Sequence, residues 1–380
     1  MAMTLFLLTF FIIYGGLQFY FFAKIKAAFP LSQGASLVLI AILVLMVLAP
    51  IIVRVSERYG YEALARFMSY TGYIWMGMMF LFFVCSILLD LHSLLIHIAA
   101  LISRRDLSYL ALSPLSAFVI PMLISLSINT FGYFEAKDIR TERMTIRSSK
   151  IPETAGRIRV VQISDVHIGL IVREKRLKRI AAEIKKAEPD ILVSTGDLVD
   201  GQINGLEGLQ ALLRDVHARY GKFAITGNHE FFAEIDRAIN FMRASGFVVL
   251  RGEGINVAGM INIAGVDDPT GVRFGLALPI SEKNMLSGLP EQYFTILLKH
   301  QPLVDKNATG VFNLQLSGHT HGGQIFPFNF ITRLFFPLQR GYFDLSNNAH
   351  LYVSRGTGTW GPPIRFLSPP EITVIDLIHG

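Results

Sequence analysis

The second half of the chain carries five short clusters of residues that bind divalent metal ions, each at the end of an apolar run. The clusters are Asp165-Val166-His167, Gly196-Asp197, Gly227-Asn228-His229-Glu230, Lys299-His300 and Gly318-His319-Thr320-His321. Two carboxylates, several imidazoles and one amide are too many ligands for one ion but suit two. Two metals held side by side are the usual means of displacing a phosphoryl group with water, so the clusters indicate phosphoester hydrolysis.

In chain order the clusters form the pattern D-x-H, G-D-x-x-D, G-N-H-E, H, G-H-x-H. This pattern resembles that of the calcineurin-like metallophosphoesterase superfamily, and the resemblance covers about residues 157–377. Each motif alone is a weak signal, but five in this order form a strong one. Five of the ten histidines fall inside the clusters, which scattered core histidines would not do. The resemblance implies an α/β fold in which two sheets pack face to face between helices, an αββα sandwich.

The resemblance also implies which residues hold which metal. One metal would be bound by Asp165, His167, Asp197 and His321, and the other by Asp197, Asn228, His300 and His319. Asp197 would then bridge the two. Two carboxylates cancel only half the charge of two divalent cations, so the centre would stay positive enough to bind phosphate and to make a water between the metals acidic. Mixed nitrogen and oxygen ligands suit Mn, Fe, Zn or Ni, and the sequence does not choose among them.

Two further residues belong to the same motifs. His229 follows the ligand Asn228 and resembles the family's catalytic histidine, which implies that it protonates the leaving oxygen. A well-placed acid of this kind contributes roughly 10²–10⁴ in rate. Asp200 completes G-D-x-x-D and is expected to orient its neighbours rather than to bind a metal.

No residue is assigned to substrate binding. Arg355 and Arg365, in the carboxyl-terminal tail, are candidates for clamping a phosphate, because guanidinium groups bind phosphate oxygens in pairs. Asp267 and Asp268 are candidates for facing the pocket, with a turn before Pro269 as the alternative. The substrate site therefore stays open at this level.

The chain departs from one branch of the superfamily. Protein serine/threonine phosphatases place an arginine after G-D-x-x-D and another soon after G-N-H-E, where this chain has Gly201-Gln202 and Phe231-Phe232. Because both arginines are missing, the chain is not expected to be a phosphatase of that kind.

The catalytic half alternates apolar runs with amphipathic stretches, which predicts a parallel sheet with polar residues gathered where strands end. Predicted strands at 157–163, 191–195 and 222–226 each run into a cluster, and predicted helices at 173–188, 205–218 and 233–245 separate them. Shorter strands are predicted at 248–250, 255–257, 260–265, 293–298, 314–317, 350–354 and 371–377.

The front of the chain is too apolar for an ordinary soluble protein. Hydrophobic residues make up 52% of the sequence and charged residues only 17%. Apolar stretches at about 3–22, 36–53, 68–89 and 109–129 each approach the roughly 20 residues that cross a bilayer. A cleaved signal peptide followed by soluble helices is the alternative, but the first stretch has neither a basic start nor a small-residue cleavage site.

These patterns divide the chain into three parts. Residues 1–133 are predicted to form an all-α transmembrane region of about four helices, 134–156 a basic juxtamembrane connector, and 157–380 the catalytic domain. The net charge of +6 is not concentrated in any block, so nucleic-acid binding is not expected. The single cysteine, Cys85, excludes an intrachain disulfide and is compatible with a reducing compartment.

Basic residues are unequally distributed between the two sides that four spans define. One side holds Arg54, Arg58, Arg66, Lys137, Arg140, Arg143, Arg147 and Lys150, and the other holds Lys24, Lys26, Arg104 and Arg105. The positive-inside rule therefore favours a cytoplasmic catalytic domain. Asp90, His92 and His97 end the third stretch and are expected at the membrane interface rather than in a proton-relay or transport path.

Together these features favour a multi-pass cell-membrane enzyme that hydrolyses a phosphate monoester, diester or pyrophosphate with water activated between two metals. The tether favours a phosphorylated lipid or lipid precursor, with soluble phosphodiesters as the alternative. Some relatives with an amino-terminal anchor cleave the pyrophosphate of a nucleotide-linked acylated sugar, and this chain resembles them. The alternative to an enzyme is a non-catalytic membrane sensor with the same fold, which the intact ligand set opposes. The sequence leaves the oligomeric state open.

Overall fold

The computed structural model describes residues 2–201, 205–206 and 208–380, with side chains described from residue 8 onward. The chain divides into two compact units. The helical unit comprises Met1–Phe134 together with Gly361–Ile364, and the α/β unit comprises Glu135–Trp360 and Arg365–Gly380.

Four helices make up most of the described part of the helical unit, which confirms the number predicted from the apolar stretches. They are α1 (Ala2–Ala28), α2 (Gln33–Arg58), α3 (Glu62–Ser103) and α4 (Pro114–Glu135), with a short 3-10 turn at Ser108–Leu110. Each is long and apolar enough to cross a membrane. Phe21, Phe82 and Phe118 pack against one another with ring centroids 5.0–5.8 Å apart, so aromatic contacts join α1, α3 and α4.

Asp90 in α3 has two partners on α1. Its carboxylate accepts a hydrogen bond from Tyr20 Oη at 2.6 Å and forms an ion pair with Lys24. Both contacts fasten α1 to α3. They give this charged residue a structural role within the helical unit, and its place at the membrane interface stays a prediction.

The first sheet of the α/β unit has six strands among the described residues. They are β1 (Arg140–Arg147), β2 (Arg157–Ile163), β3 (Ile191–Ser194), β4 (Lys222–Ala224), β5 (Val248–Val249) and β12 (Glu371–Ile378), in the order β1-β12-β2-β3-β4-β5. Strands β2 to β5 run parallel, and β12 is antiparallel to β2. Strand β1 pairs in parallel with β12, so the segment 134–156, which the sequence predicts as a connector, contributes an edge strand to the sheet.

The second sheet, which lies wholly in the described range 208–380, also has six strands, two of them antiparallel edges. They are β6 (Glu253–Val257), β7 (Ile261–Gly265), β8 (Phe294–Leu298), β9 (Leu314–Ser317), β10 (Gly341–Asp344) and β11 (His350–Val353), in the order β10-β11-β9-β8-β7-β6. Strands β7, β8, β9 and β11 run parallel. Edge strand β10 is not among the predicted strands.

In the part of the chain that the structure describes, seven helices accompany the sheets. They are α5 (Glu174–Ala187), α6 (Leu209–Arg214), α7 (Asn228–Phe232), α8 (Ile235–Ala244), α9 (Pro269–Arg273), α10 (Glu282–Ser287) and α11 (Phe328–Phe335), with 3-10 turns at Glu153–Ala155 and His321–Gly323. Helix α6 is shorter than the helix predicted for 205–218, and Glu207 within that prediction lies outside the described residues.

Alternate residues of β2 show how the layers pack. Ile158 and Val160 belong to a core between the two sheets, whereas Val161 and Ile163 belong to a core that α5, α6 and α8 cover. A third core, which includes Leu286 of α10, lies on the second sheet. Because β2 is buried on both faces, its apolar run is nearly continuous. The layers confirm the predicted αββα sandwich.

Candidate metal centre

Five loops of the α/β unit carry the five ligand clusters. The loops follow β2, β3 and β4 in the first sheet and β8 and β9 in the second. Parallel strands present their carboxyl ends at a common edge, which is where α/β proteins usually bind ligands. Gln162 joins the sheets there, since its amide donates to Thr195 Oγ1 at 2.9 Å and to the Ser317 carbonyl at 3.0 Å.

The first group of candidate ligands is Asp165, His167 and His321. Asp165 Oδ1 lies 3.5 Å from His321 Nε2, and the Nε2 atoms of His167 and His321 are 3.1 Å apart. His167 Nε2 is also 3.8 Å from Asp197 Oδ2. All four side chains are buried. The donor atoms of the first group lie close enough together to hold one cation.

The second group is Asp197, His300 and His319, with Asn228 beside them. His300 Nε2 lies 3.2 Å from Asp197 Oδ2, 3.2 Å from Asn228 Oδ1 and 3.2 Å from His319 Nδ1. Asp197 therefore adjoins both groups. The structure thus brings all seven predicted ligands together around one carboxylate, and their binding of two metals stays a prediction.

Backbone strain is concentrated in the ligand loops. Five of the seven candidate ligands have a positive φ, namely Asp165 (50°), His167 (53°), Asp197 (50°), His319 (71°) and His321 (50°). A residue with a Cβ in this left-handed region costs about 1–2 kcal/mol relative to the right-handed one. Such strain persists where the surrounding structure enforces it, and it clusters at functional sites.

Close packing of the loops requires glycine at two of these turns. A Cβ on Gly196, whose φ is +91°, would lie 2.6 Å from His300 Nδ1 and 2.8 Å from the Cα of Gly227. A Cβ on Gly318 would collide with the side chains of Ser164 and Asp165. The glycines of the motifs therefore let the loops approach one another, which brings the ligands within reach of a shared ion.

The orientation of His300 fits a metal ligand. Its Nδ1 lies 2.8 Å from the carbonyl oxygen of Thr195, which can only accept a hydrogen bond. When the ring is neutral, Nδ1 therefore carries its proton, and Nε2 then presents its lone pair toward Asp197 and Asn228. A backbone carbonyl that fixes the tautomer in this way is the usual support of a metal-binding histidine.

His321 is oriented differently, because Arg365 reaches its other ring nitrogen. Arg365 is fully buried, and its Nη2 lies 2.9 Å from His321 Nδ1. A guanidinium only donates, so Nδ1 accepts and a neutral ring carries its proton on Nε2. His321 can therefore bind a cation through Nε2 only if this contact breaks. Arg365 also donates to the carbonyl oxygens of His321, Arg355 and Gly358, which makes it a support of these loops rather than a phosphate clamp.

His229 is held beside the two groups by both neighbouring aspartates. Its backbone N–H donates to Asp197 Oδ1 at 2.8 Å, and its Nδ1 lies 2.8 Å from Asp200 Oδ1, although these two atoms are not aligned for a hydrogen bond. Burial lowers the pKa of the ring, but the carboxylates of Asp197 and Asp200 outweigh burial and raise the pKa of His229 to about 9. The ring is therefore protonated at neutral pH when no cation is bound. Asp200 also lies 3.7 Å from His167 Nδ1, as a residue that orients its neighbours should.

Glu230 supports the loops, a role that the sequence analysis did not assign. Its carboxylate is fully buried and accepts from the backbone N–H groups of Asp197 at 2.9 Å, Val199 at 3.1 Å and Gly227 at 2.6 Å. Burial and the charge of Asp197 raise the pKa of Glu230 to about 7, although these hydrogen bonds lower it. The position of Glu230 in G-N-H-E could have indicated this role. A glutamate three residues after the residue that starts a helix often accepts a hydrogen bond from the backbone there.

The remaining candidates lie in structural contacts. Asp267 pairs with Arg251 at 2.8 Å and accepts from Thr226, while Asp268 caps α9 and accepts from Gln301 at 2.9 Å. Neither carboxylate joins the ligand groups, so the turn before Pro269 is the better account of this segment.

Arg355 is likewise held by carboxylates. Its guanidinium pairs with Glu371 at 2.6 Å and with Glu142. These contacts tie the tail to β1 and β12. Arg355 also lines a cavity of about 640 Å³ that none of the seven candidate ligands lines. The structure therefore places neither candidate arginine as a phosphate clamp at the metal centre.

The fold and the ligand set agree with what sequence comparison finds. The family model for calcineurin-like phosphoesterases matches residues 158–323. A metallophosphoesterase of Aquifex aeolicus (strain VF5) is 37% identical over 257 residues, which cover 67% of this chain and 98% of that protein. Another, from Campylobacter jejuni, is 33% identical over 294 residues, which cover 74% of each protein. The chain belongs to the calcineurin-like phosphoesterase family.

Relatives from animals combine this domain with membrane segments. A protein of Danio rerio described as a transmembrane protein with a metallophosphoesterase domain is 31% identical over 273 residues, 68% of this chain and 62% of that protein. Together with four helices of sufficient length and apolarity, this likeness indicates membrane association. A solved 5'-nucleotidase precursor from Thermus thermophilus aligns at 14% identity with a TM-score of 0.37, over 58% of this chain and 54% of that one. At that TM-score the likeness says nothing about function.

Proposed function

We propose that this chain is a multi-pass membrane phosphoesterase that uses two divalent cations to hydrolyse a phosphate ester or pyrophosphate. The observation that supports the proposal most is the convergence of seven side chains from five loops, Asp197 among them, with five of the seven on strained backbone. When bound, two cations would supply Lewis acidity and would lower the pKa of a water enough to make a hydroxide nucleophile available near neutral pH.

The side chains have distinct tasks in this proposal. The carboxylates of Asp165 and Asp197 and the imidazoles around them hold the cations, and they leave a net positive site that attracts a phosphate. His229 donates a proton to the leaving oxygen, and Asp200 keeps its ring in place from the Nδ1 side. Glu230 holds the turns on which Asp197 and Asn228 are carried.

A non-catalytic metal-dependent sensor is the alternative. It would need the two ligand groups, but it would not need an acid beside them. His229, whose ring is protonated beside Asp197 and Asp200, supplies such an acid, and it is present together with the candidate ligand set. Both observations support an enzyme over a sensor.

Hydrolysis of bis(4-nitrophenyl) phosphate by the purified full-length protein tests the proposal. The protein is stripped with a chelator and then supplied with Mn, Fe, Zn or Ni, one at a time. We expect nitrophenol release to disappear with the metal and to return with at least one of the four ions. The Asp197→Asn variant, purified in parallel, controls for contaminating phosphatases. If no ion restores release above that control, the enzyme is rejected and the sensor is favoured.

The proposed substrate class is a phosphorylated lipid or lipid precursor. Support comes from the chain itself, since only four residues separate the end of α4 at Glu135 from the start of β1 at Arg140. Lipid extracts of cells that lack the gene are compared with those of cells that carry the wild type or Asp197→Asn. A phosphorylated lipid should accumulate both in the deletion strain and in the variant. An unchanged lipid profile would reject the lipid substrate and leave the hydrolase standing.

A cytoplasmic α/β unit is proposed from the excess of Lys and Arg on its side of the spans. Its test is a single cysteine at Lys178, an exposed position on α5, in a Cys85→Ser background. A thiol reagent that does not cross membranes should label Lys178→Cys only after the cells are lysed. Labelling in intact cells would place the unit outside.

A further inference from the structure

Helix α11 is amphipathic, and its apolar side is unusually wide. Successive residues of a helix advance by 100°, so the large apolar side chains of α11 fill an arc of about 160° and the polar ones fill the rest. The apolar arc consists of Phe328, Phe330, Ile331, Leu334 and Phe335, and the polar side consists of Asn329, Thr332 and Arg333.

The apolar arc faces outward. Leu334 is 79% exposed, Phe335 71% and Phe330 59%, and no residue of α11 is buried. Two residues of the polar side face the protein, since Asn329 packs against Gly323 and Thr332 is half-buried, whereas Arg333 is exposed. Scattered apolar residues are normal on protein surfaces, but a contiguous exposed arc marks a surface that binds something.

The apolar arc adjoins the metal centre. Phe336, the residue after α11, packs edge-on against the candidate ligand His319 with ring centroids 4.9 Å apart. A molecule that binds the apolar arc would therefore lie next to the second group of candidate ligands.

A second exposed apolar surface adjoins the same centre beside His229. The ring of Phe232 lies 5.4 Å from that of His229 and 5.9 Å from that of Phe274. Phe274 starts a stretch of exposed apolar side chains that continues with Leu276, Leu278 and Ile280. Trp360, which is 53% exposed, lies 6.0 Å from His229. Exposed apolar groups therefore lie one aromatic contact away from both His319 and His229.

The short link between α4 and β1 indicates which partner covers these surfaces. Four residues join α4 to β1, and the five Cα–Cα steps from Glu135 to Arg140 span only about 18 Å even when fully extended. The α/β unit of a chain whose helices cross a bilayer can therefore never move far from the lipid. The exposed arginines Arg273 and Arg333 accompany the two surfaces, and positive charge beside phenylalanine and leucine is typical of helices that lie in the membrane interface.

We propose that the apolar arc of α11 and the Phe274 stretch insert into the interfacial layer of the bilayer, so that the metal centre opens onto the membrane surface. The substrate would then be an amphiphilic phosphate ester whose acyl chains stay in the lipid while its phosphate reaches the ligands. This choice of substrate rests on the proposed function, whereas the insertion of α11 does not.

A fluorescence measurement on the full-length protein tests the insertion without using activity. In a Cys85→Ser background, a nitrobenzoxadiazole dye is attached to Leu334→Cys, or to Lys178→Cys on the exposed side of α5 as the matched control. The proteins are reconstituted into phosphatidylglycerol–phosphatidylcholine vesicles. At Leu334→Cys we expect emission shifted to shorter wavelength and quenched by doxyl-labelled lipid. At Lys178→Cys we expect emission as in water, quenched by iodide. Equal, water-like behaviour at both positions would overturn the proposal.

A second copy of this chain could also shield the dye, and dilution separates that case. The lipid-to-protein ratio is raised tenfold at constant dye. A signal from Leu334→Cys that persists unchanged supports contact with lipid. A signal that reverts to the water-like spectrum as copies separate would show that the arc binds another copy, and it would overturn the proposal.

The substrate arm is measured separately with Leu334→Asp. Hydrolysis of bis(4-nitrophenyl) phosphate, which needs no membrane, should match that of the wild type, whereas hydrolysis of phosphatidic acid in vesicles should fall. Equal rates on both substrates would overturn the role of α11 in substrate access. If the wild type hydrolyses neither substrate, the proposed function fails while the dye at Leu334→Cys still decides the insertion.

Discussion

The ligand loops of the metal centre and helix α11 both place side chains where folding alone would not favour them, but in opposite ways. The loops bury two carboxylates and hold five ligand residues in left-handed backbone. Helix α11 turns five large apolar side chains outward. Helix α5 of the same unit behaves in the ordinary way, since Leu177, Ile180 and Ile184 on its apolar side are fully buried.

An unfavourable arrangement persists when something outside the chain offsets it. Cations stabilise buried carboxylates and converging imidazoles, and lipid stabilises an exposed apolar arc. The two regions therefore point to different partners, since the ligand loops indicate cations and helix α11 indicates lipid. Damage to one region should therefore leave the other intact, and substitutions in each region can test that separation.

The largest effect is expected for Asp197→Asn. Asp197 adjoins both ligand groups, so the loss of its charge weakens both cation sites, and we expect activity to fall on the order of 10³-fold or more. The protein should stay folded, because asparagine can still accept the hydrogen bond from the His229 N–H. The measurements are bis(4-nitrophenyl) phosphate turnover and the rise in Tm on addition of Mn, which should shrink in the variant.

The matched control for that substitution is Asp215→Asn, which changes an exposed carboxylate in the same way. It should leave both turnover and the metal-dependent rise in Tm as in the wild type. If Asp197→Asn kept the metal response, Asp197 would not be the shared ligand.

A smaller effect is expected for His229→Gln. If His229 is the acid rather than a ligand, turnover should fall roughly 10²–10³-fold while the metal content per chain stays the same. The loss should be larger for alkyl phosphate esters than for nitrophenyl esters, because an alkoxide needs the proton more than a phenolate does. His217→Gln, at an exposed histidine, should change neither quantity. Loss of metal in His229→Gln would instead make His229 a ligand.

A still smaller effect on activity is expected for Glu230→Gln. Glutamine offers one acceptor oxygen, and its amide N–H groups would face backbone N–H groups that Glu230 now binds. We expect metal affinity and turnover to fall roughly 10–100-fold, as for other groups that hold ligands in place. Isothermal titration with Mn and steady-state kinetics measure the two. Glu234→Gln, at a side chain that is 76% exposed, is the control and should resemble the wild type.

The convergence of the candidate ligands could be predicted from the sequence because each of them belongs to a short local motif. Asp165 and His167 lie two residues apart after β2, and His319 and His321 lie two residues apart after β9. Each motif therefore brings its candidate ligands together locally. The order of the motifs carried the resemblance that implied the two-sheet fold, and the four apolar stretches before the motifs indicated the four helices. These features depend on residues close together in sequence, and the structure confirms the two sheets and the four helices.

What could not be predicted depends on neighbours distant in sequence. The sequence of β1 has the pattern of a charged connector, because only Ile146 in it is buried. The segment becomes a strand through its pairing with β12. The sequence could not show whether Arg365 clamps a phosphate or supports the loops. The carbonyl oxygens that it binds lie in other loops, and no local sequence pattern predicts that those loops contact Arg365. The outward orientation of α11 was likewise invisible, since the periodicity of a helix shows that one side is apolar but not which way that side faces.

The smallest effect, and the direct test of that orientation, comes from a matched pair of truncations. Leu177→Ala in α5 removes a fully buried side chain and should lower the free energy of unfolding by about 2–5 kcal/mol. Leu334→Ala in α11 removes one that is 79% exposed and should change it by no more than about 0.5 kcal/mol. Unfolding of the full-length protein in detergent can be followed through Trp360 in a Trp75→Phe background. Equal losses at Leu177 and Leu334 would mean that α11 packs its apolar arc against protein, and the contrast between the two helices would disappear.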